Sequence, residues 1–259
     1  MRKLLTPATA LVVAAFVLAV GIGWLGWSLL TLPDVSSLND TRSTITIQVH
    51  DWKGQEHPFQ VGPKNRYWMP LAACSDALIK TVVVAEDSMF FKHDGIDTAA
   101  IKEAAKANLE RGRYSRGAST ITQQLAKNLY LTREKTLTRK LKEVILARRI
   151  DDEVSKERIL ELYLNLVELG PLVHGIGHAA HYYFGKSPAA LSLRESSLLA
   201  AILPGPRIFN PRRDLEAVLV RADKILQRMR EGNAIEEAEY RAALAEKVAL
   251  VPAPEAPQQ

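Results

Sequence analysis

Two acidic residues stand side by side in an apolar setting. Glu86 and Asp87 close the run VVVAED and are followed at once by SMFF. A carboxylate against apolar surface holds its proton more tightly, which is what a general base or acid requires; a helix-terminal acid in water is the plainer alternative. Downstream, RGASTITQQLAKN gathers Ser119, Thr120, Thr122, Gln123, Gln124, Lys127 and Asn128. These hydroxyls and amides suit a hydroxyl-rich ligand. TRKLKE then places Arg139 and Glu143 four residues apart, about one helical turn, in a stretch where Lys and Arg outnumber acids. Alone, that pair reads as a solvated ion pair of small consequence. Together the three stretches describe a site for a large, hydroxylated, negatively charged substrate, with an acid to move a proton and cations to hold charge.

Several other chemistries are excluded. FGKS would end a phosphate-binding loop only with Gly at position 180, where the sequence has Ala180. His93, His174, His178 and His181 lack the spacing of a metal motif and read as loop and core histidines. No S-x-x-K with K-T-G marks a penicillin-binding serine acyltransferase. Cys74 is the single cysteine, so no intrachain disulfide or cysteine metal cluster forms. A net charge of +5 favours an anionic partner without naming it.

The elements that must position these residues are helices. SDALIKTVVVAED puts Leu78, Val82 and Ala85 on one face, with Ser75 as N-cap and Glu86 and Asp87 at the C-terminal end. DTAAIKEAAKANLERG begins at Asp97 or Thr98 and stops near Gly112. STITQQLAKNLYL repeats Ile121, Leu125 and Leu129 on one face and Ser119, Gln123 and Lys127 on another, with Ser119 able to cap. Basic Lys135 to Arg149, the Ser155-capped SKERILELYLNLVEL, the buried SLRESSLLAAIL and Leu215 to Met229 complete the helices. Before them, TITIQVHDWKGQEHPFQV alternates as a short hairpin, and strand signal is nearly absent past Val84. The fold class is mainly α.

Arg2 and Lys3 precede an uncharged run, and Leu11 to Leu32 as a helix would span about 33 Å. The sequence reads as an uncleaved anchor with its N-terminus in the cytoplasm and Trp24 and Trp27 at the far interface. The expected organisation is 1–33 cytoplasmic stub and anchor, 34–67 polar linker with the hairpin, 68–232 catalytic domain, and 233–259 a C-terminal helix with a Pro-rich, disordered tail.

EDSMFFKHDGID, RGASTITQQLAKNLYL, RKLKE, KERILELYLN and GIGHAAHYYFGK resemble, in order and spacing, the five motifs of the family 51 peptidoglycan glycosyltransferases, over roughly Trp68 to Pro211. With no transpeptidase signature following, the sequence resembles the monofunctional biosynthetic type. The resemblance implies a lysozyme-like, two-lobed helical domain that polymerises lipid II into β-1,4-linked glycan, releasing undecaprenyl pyrophosphate with inversion. Glu86 matches the base that takes the acceptor hydroxyl proton, and Glu143 the second essential carboxylate, near the donor pyrophosphate. Lys127, Lys135 and Lys142 align with pyrophosphate-holding cations, and Ser119, Gln123 and Gln124 with the sugar and phosphate path. The motifs extend the substrate-binding set to Asp87, Phe90, His93, Thr120, Asn128, Arg139 and Asn165. No organic cofactor is implied, and a divalent cation, Mg2+ or Mn2+, near Glu143 is left open. The implied setting is the bacterial inner membrane, single-pass, with a periplasmic catalytic domain. Lipid II, the nascent strand, penicillin-binding proteins and divisome components are the implied partners, and nucleic acid is not. Two departures concern the donor-side loop: Leu172 stands where the family usually keeps Gly, and Gly177 where Glu is frequent. A non-catalytic membrane-anchored scaffold and a lysozyme-type hydrolase are the alternatives. Both carboxylates argue against the first, and the cation cluster has no role in the second.

Overall fold

The computed structural model describes residues 7–51, 53–112, 117–132, 134 and 136–252. Helix α1 (Pro7–Leu30) exposes large apolar side chains along its length, among them Leu11, Phe16, Ile22, Trp24, Trp27 and Leu30. A hairpin follows, β1 (Ile45–His50) and β2 (Glu56–Val61), antiparallel with Ile45 opposite Val61 and His50 opposite Glu56. Among the described residues nine further helices follow: α2 (Asp76–Glu86), α3 (Thr98–Glu110), α4 (Ile121–Tyr130), α5 (Leu137–Glu153), α6 (Lys156–Leu166), α7 (Ile176–Phe184), α8 (Leu193–Ile202), α9 (Leu215–Glu231) and α10 (Glu237–Ala245). A second short hairpin, β3 (Glu168–Gly170) and β4 (Val173–His174), joins α6 to α7. It was not expected, because strands of two or three residues are too short to show an alternating pattern.

Local chemistry starts the helices where the sequence indicates. Ser75, Asp97 and Ser155 each accept a hydrogen bond from a backbone N–H of the first turn. At α4 the cap is Thr120 rather than Ser119. Its hydroxyl accepts from Gln123 N while the Gln123 side-chain Oε1 accepts from Thr120 N, a reciprocal capping box. Gln123 is thereby turned inward, 1% exposed, so the expected polar face of α4 is interrupted.

The helices pack in two groups. In one, α2 lies against α8 and α9, and α8 is buried from Arg194 to Ile202. In the other, α4 lies against α5 and α6. The loop between α2 and α3 locks onto the second group at Gly95, whose φ is +78° and where a Cβ would lie 2.6 Å from the Ala147 carbonyl oxygen of α5. Only glycine fits there.

The segment after α1 is not a free linker. Val35 and Leu38 are fully buried, and buried Arg158 of α6 donates from Nε to the Leu38 carbonyl (2.8 Å) and from Nη2 to that of Asp40 (3.2 Å). Asn39 adds a bond to the Glu153 carbonyl at 2.9 Å. The stretch read as a polar linker; two apolar side chains and a distant arginine hold it against the helices. Of the Pro-rich tail, residues 253–259 lie outside the described residues.

Candidate active site

Glu86 ends α2 at the junction of the two helix groups. Its Oε2 accepts a 2.8 Å hydrogen bond from Nε2 of Gln124 on α4, so one carboxylate ties the groups together. The amide is itself oriented, because the fully buried Tyr163 hydroxyl of α6 donates to Gln124 Oε1 at 3.3 Å. Burial pushes the Glu86 carboxyl above the ordinary carboxylate range, against the opposing pull of Gln124 and of the positive charges on Arg228 and Lys127. A cavity of about 390 Å3 opens beside it, between α2, α8 and α9, with Arg221, Lys224 and Arg228 on its α9 wall.

The second carboxylate belongs to the other group. Glu143 of α5 is 3% exposed; its Oε2 takes Arg139 Nη1 at 2.6 Å and its Oε1 takes Lys140 Nζ. Lys140 also donates to the Ser119 hydroxyl at 3.2 Å. Lys127 links the two centres: burial lowers its pKa, while the charges of Glu143 and, more weakly, Glu86 raise it. Lys127, Asn128 and Arg139 line a second cavity of about 400 Å3. The arrangement is a poised base at one end and a cationic cradle at the other, which suits proton removal from a hydroxyl coupled to departure of an anion.

The sequence-assigned residues divide by exposure. Lys127, Asn128 and Arg139 line the second cavity, Gln124 bonds Glu86, and Ser119 bonds Lys140. Asp87, Phe90, His93, Thr120, Gln123 and Asn165 are instead consumed inside the fold. Asp87 accepts from Ile121 N at 2.9 Å and from His93 Nε2 at 3.0 Å, fixing the start of α4 beneath Glu86. Phe90 is fully buried under the Lys156 ammonium, which lies 4.7 Å from the ring centroid. Asn165 bonds both backbone groups of Met69, at 2.8 and 2.7 Å. Their contacts inside the fold give these six a part in the scaffold that positions Glu86 and the start of α4. Lys142 is half-buried and adjoins Glu143 in sequence, about 100° around the helix, and the second cation on Glu143 is Lys140. Lys135 lies outside the described residues.

Residues 54–230 match the family described as Transglycosylase. The chain belongs to that family. Among curated relatives, penicillin-binding protein 1A of Escherichia coli K12 is 42% identical over 76% of this chain and 23% of its own length. Those of Vibrio cholerae and Aquifex aeolicus are 42% and 39% identical over 84% and 94% of this chain, and 26% and 33% of their own. The chain thus spans a quarter to a third of these relatives. A crystal structure of penicillin-binding protein 1A from Haemophilus influenzae aligns over 82% of this chain and 22% of that one, at 23% identity and a TM-score of 0.45.

In this transglycosylase family member the donor set around Glu143 does not fit a divalent cation. Both carboxylate oxygens are engaged by cations, and among the described residues no group of three or more His, Cys, Asp or Glu side chains could hold a metal. Tyr163, Lys140 and Arg228 are the site residues that sequence reading missed. Lys140 could have been found, since i and i+3 share a helix face. Tyr163 and Arg228 come from distant elements and leave no local signal.

Proposed function

We propose that this protein is a membrane-anchored peptidoglycan glycosyltransferase that polymerises lipid II, with the catalytic unit at 68–232. The observation that carries the reading is Glu86: a carboxylate whose proton affinity is raised by burial, held by Gln124, and linked through the charge of Lys127 to the Arg139–Lys140–Glu143 cluster. In the reaction Glu86 removes the proton from the acceptor sugar's 4-hydroxyl as that oxygen bonds to the donor's anomeric carbon. The bond from that carbon to the diphosphate breaks, and its electron pair leaves with the diphosphate. Lys127, Arg139 and Lys140 offset the growing negative charge, while Glu143 holds the last two in place. Attack opposite an α-linked leaving group gives a β-linked product, so one base suffices and no sugar is ever attached to the protein.

Helix α1 supports anchoring. It carries a 20-residue stretch, Leu11–Leu30, of mean hydropathy 2.1 that packs against almost nothing else. An enzyme with a lipid-borne substrate gains by staying at the bilayer, and we place the catalytic unit on the periplasmic side of the inner membrane from Arg2 and Lys3.

The test is polymerisation of labelled lipid II by the purified full chain. Glu86→Gln keeps the shape but cannot accept the proton, so the rate should fall at least about a hundredfold with the unfolding transition unchanged. The wild-type polymer should be digested by a lysozyme specific for β-1,4 links. Polymerisation by the variant near the wild-type rate, or a resistant polymer, would remove the proposal.

A further inference from the structure

The cavity beside Lys127 and Arg139 has a wall that this mechanism does not use. That wall is β1, contributing Ile47, Gln48, Val49 and His50, and it lies upstream of the family-matched residues 54–230. Hydrocarbon comes from Ile47 and Val49 on the hairpin and from Leu131 and Leu166 opposite, directly next to the two cations. The wall is fixed in place. Arg207 donates from Nη2 to the carbonyls of His50 (3.2 Å) and Asp51 (3.3 Å) and pairs through Nε with Glu168 Oε1 at 3.4 Å. On β2, the Phe59 ring packs on His174, centroids 5.1 Å apart.

Leu131, at the C-terminal end of α4, lines the same cavity. The neighbouring Tyr130 hydroxyl, its pKa pushed up to about 12 mainly by burial, also senses the charge of Asp34. Asp34 follows shortly after α1 ends at Leu30. A pocket that sets the cations Lys127 and Arg139 beside hydrocarbon fits an amphiphile with a diphosphate head and an apolar tail. Hydrocarbon walls gain nothing from a sugar but gain from every methylene they cover.

We infer that β1 forms the tail-side wall of the donor pocket. Lys127 and Arg139 take the diphosphate, Ile47, Val49, Leu131 and Leu166 take the first isoprenoid units, and the hairpin sets the enzyme's preference for a prenylated donor. This rests on the lipid-linked donor of the proposed function. It adds a specificity-determining element that the motifs do not contain.

The experiment uses the full chain in detergent with two donors that share the disaccharide diphosphate, one carrying an undecaprenyl chain and one a short alkyl chain. Ile47→Thr keeps a β-branched residue in the strand, and Leu131→Ala trims the opposite wall. Thr46→Ala, on the exposed face of the same strand, is the control. For each wall variant KM for the undecaprenyl donor should rise about tenfold, the equivalent of losing roughly two buried methylenes. The kcat should stay within about twofold, because this contact is equal in ground and transition states. KM for the short-chain donor, and every constant of Thr46→Ala, should not change. Equal KM rises for both donors, a fall in kcat for both, or no change in either overturns the inference. If the wild type polymerises neither donor, the functional reading itself fails; if it polymerises the undecaprenyl donor and the wall variants match it, only the inference fails.

Discussion

Replacing the three cations near Glu143 one at a time separates what the structure assigns to each. Arg139 is 18% exposed and donates at 2.6 Å to a carboxylate that is 3% exposed. A hydrogen bond between charged groups is worth about 1.5–3 kcal/mol, and its loss here also leaves Glu143 with one partner fewer in a buried place. Arg139→Ala should therefore lower kcat/KM on lipid II by about 10- to 100-fold, at about 1.4 kcal/mol per tenfold. Lys140 binds the other oxygen but is 44% exposed, so solvent screens it, and a loss of about 1 kcal/mol predicts a fall of about fivefold. Lys142 sits about 100° around α5 from Glu143, and Lys142→Ala should cost less than about twofold. The assay is initial polymerisation rate against donor concentration, with the melting temperature of each variant beside it. A Lys142→Ala defect equal to or larger than that of Lys140→Ala would refute the assignment, as would an Arg139→Ala protein of wild-type activity.

The pH dependence should follow Glu86. A base works ionised, so kcat/KM should be lost as pH falls through a pKa that burial holds above the ordinary carboxylate value. Gln124→Ala and Arg228→Ala each remove a group that favours the ionised form, so both should move this acid limb to higher pH; a limb that stays or moves down contradicts the geometry. Arg158→Met strips the Leu38 and Asp40 carbonyls of their donor and leaves Glu161 without its arginine, so chemical unfolding should show a loss of about 3–5 kcal/mol, and a loss below about 1 would mean the segment after α1 is not clamped. In the β3–β4 turn, Leu172 has φ +58° after Pro171, a backbone that favours glycine, and its side chain is largely solvent-facing. Leu172→Gly should raise the melting temperature by about 2–4 °C, from roughly 1 kcal/mol of relieved strain. Gly177→Ala should lower it, since a Cβ there would lie 2.2 Å from the Tyr67 carbonyl oxygen, and opposite signs in either thermal scan would contradict these two backbone readings.

Helix starts, the apolar anchor-length helix, the β1–β2 hairpin and the transglycosylase motifs were all legible in the sequence, because each depends on residues within a few positions of one another. Ser75, Asp97 and Ser155 cap through their own first turns, and alternation in residues 44–61 needs only the neighbouring strand to become a hairpin. Tertiary structure decided what periodicity leaves open, namely which neighbour a face meets. A four-residue repeat grouped Ser119, Gln123 and Lys127, but the capping box drew Gln123 inward and left Lys127 at the cleft. The motif resemblance pointed to Lys142 beside Glu143, whereas the packing of α5 also brings Lys140 onto Glu143 Oε1. Tyr163 orients Gln124 from α6, Arg228 reaches towards Glu86 from α9, and Arg158 buries Leu38 across 120 positions of sequence. Such partners are set by the packing of whole helices, because a buried polar group must find its hydrogen bond wherever the fold brings one, and no local pattern records where that will be.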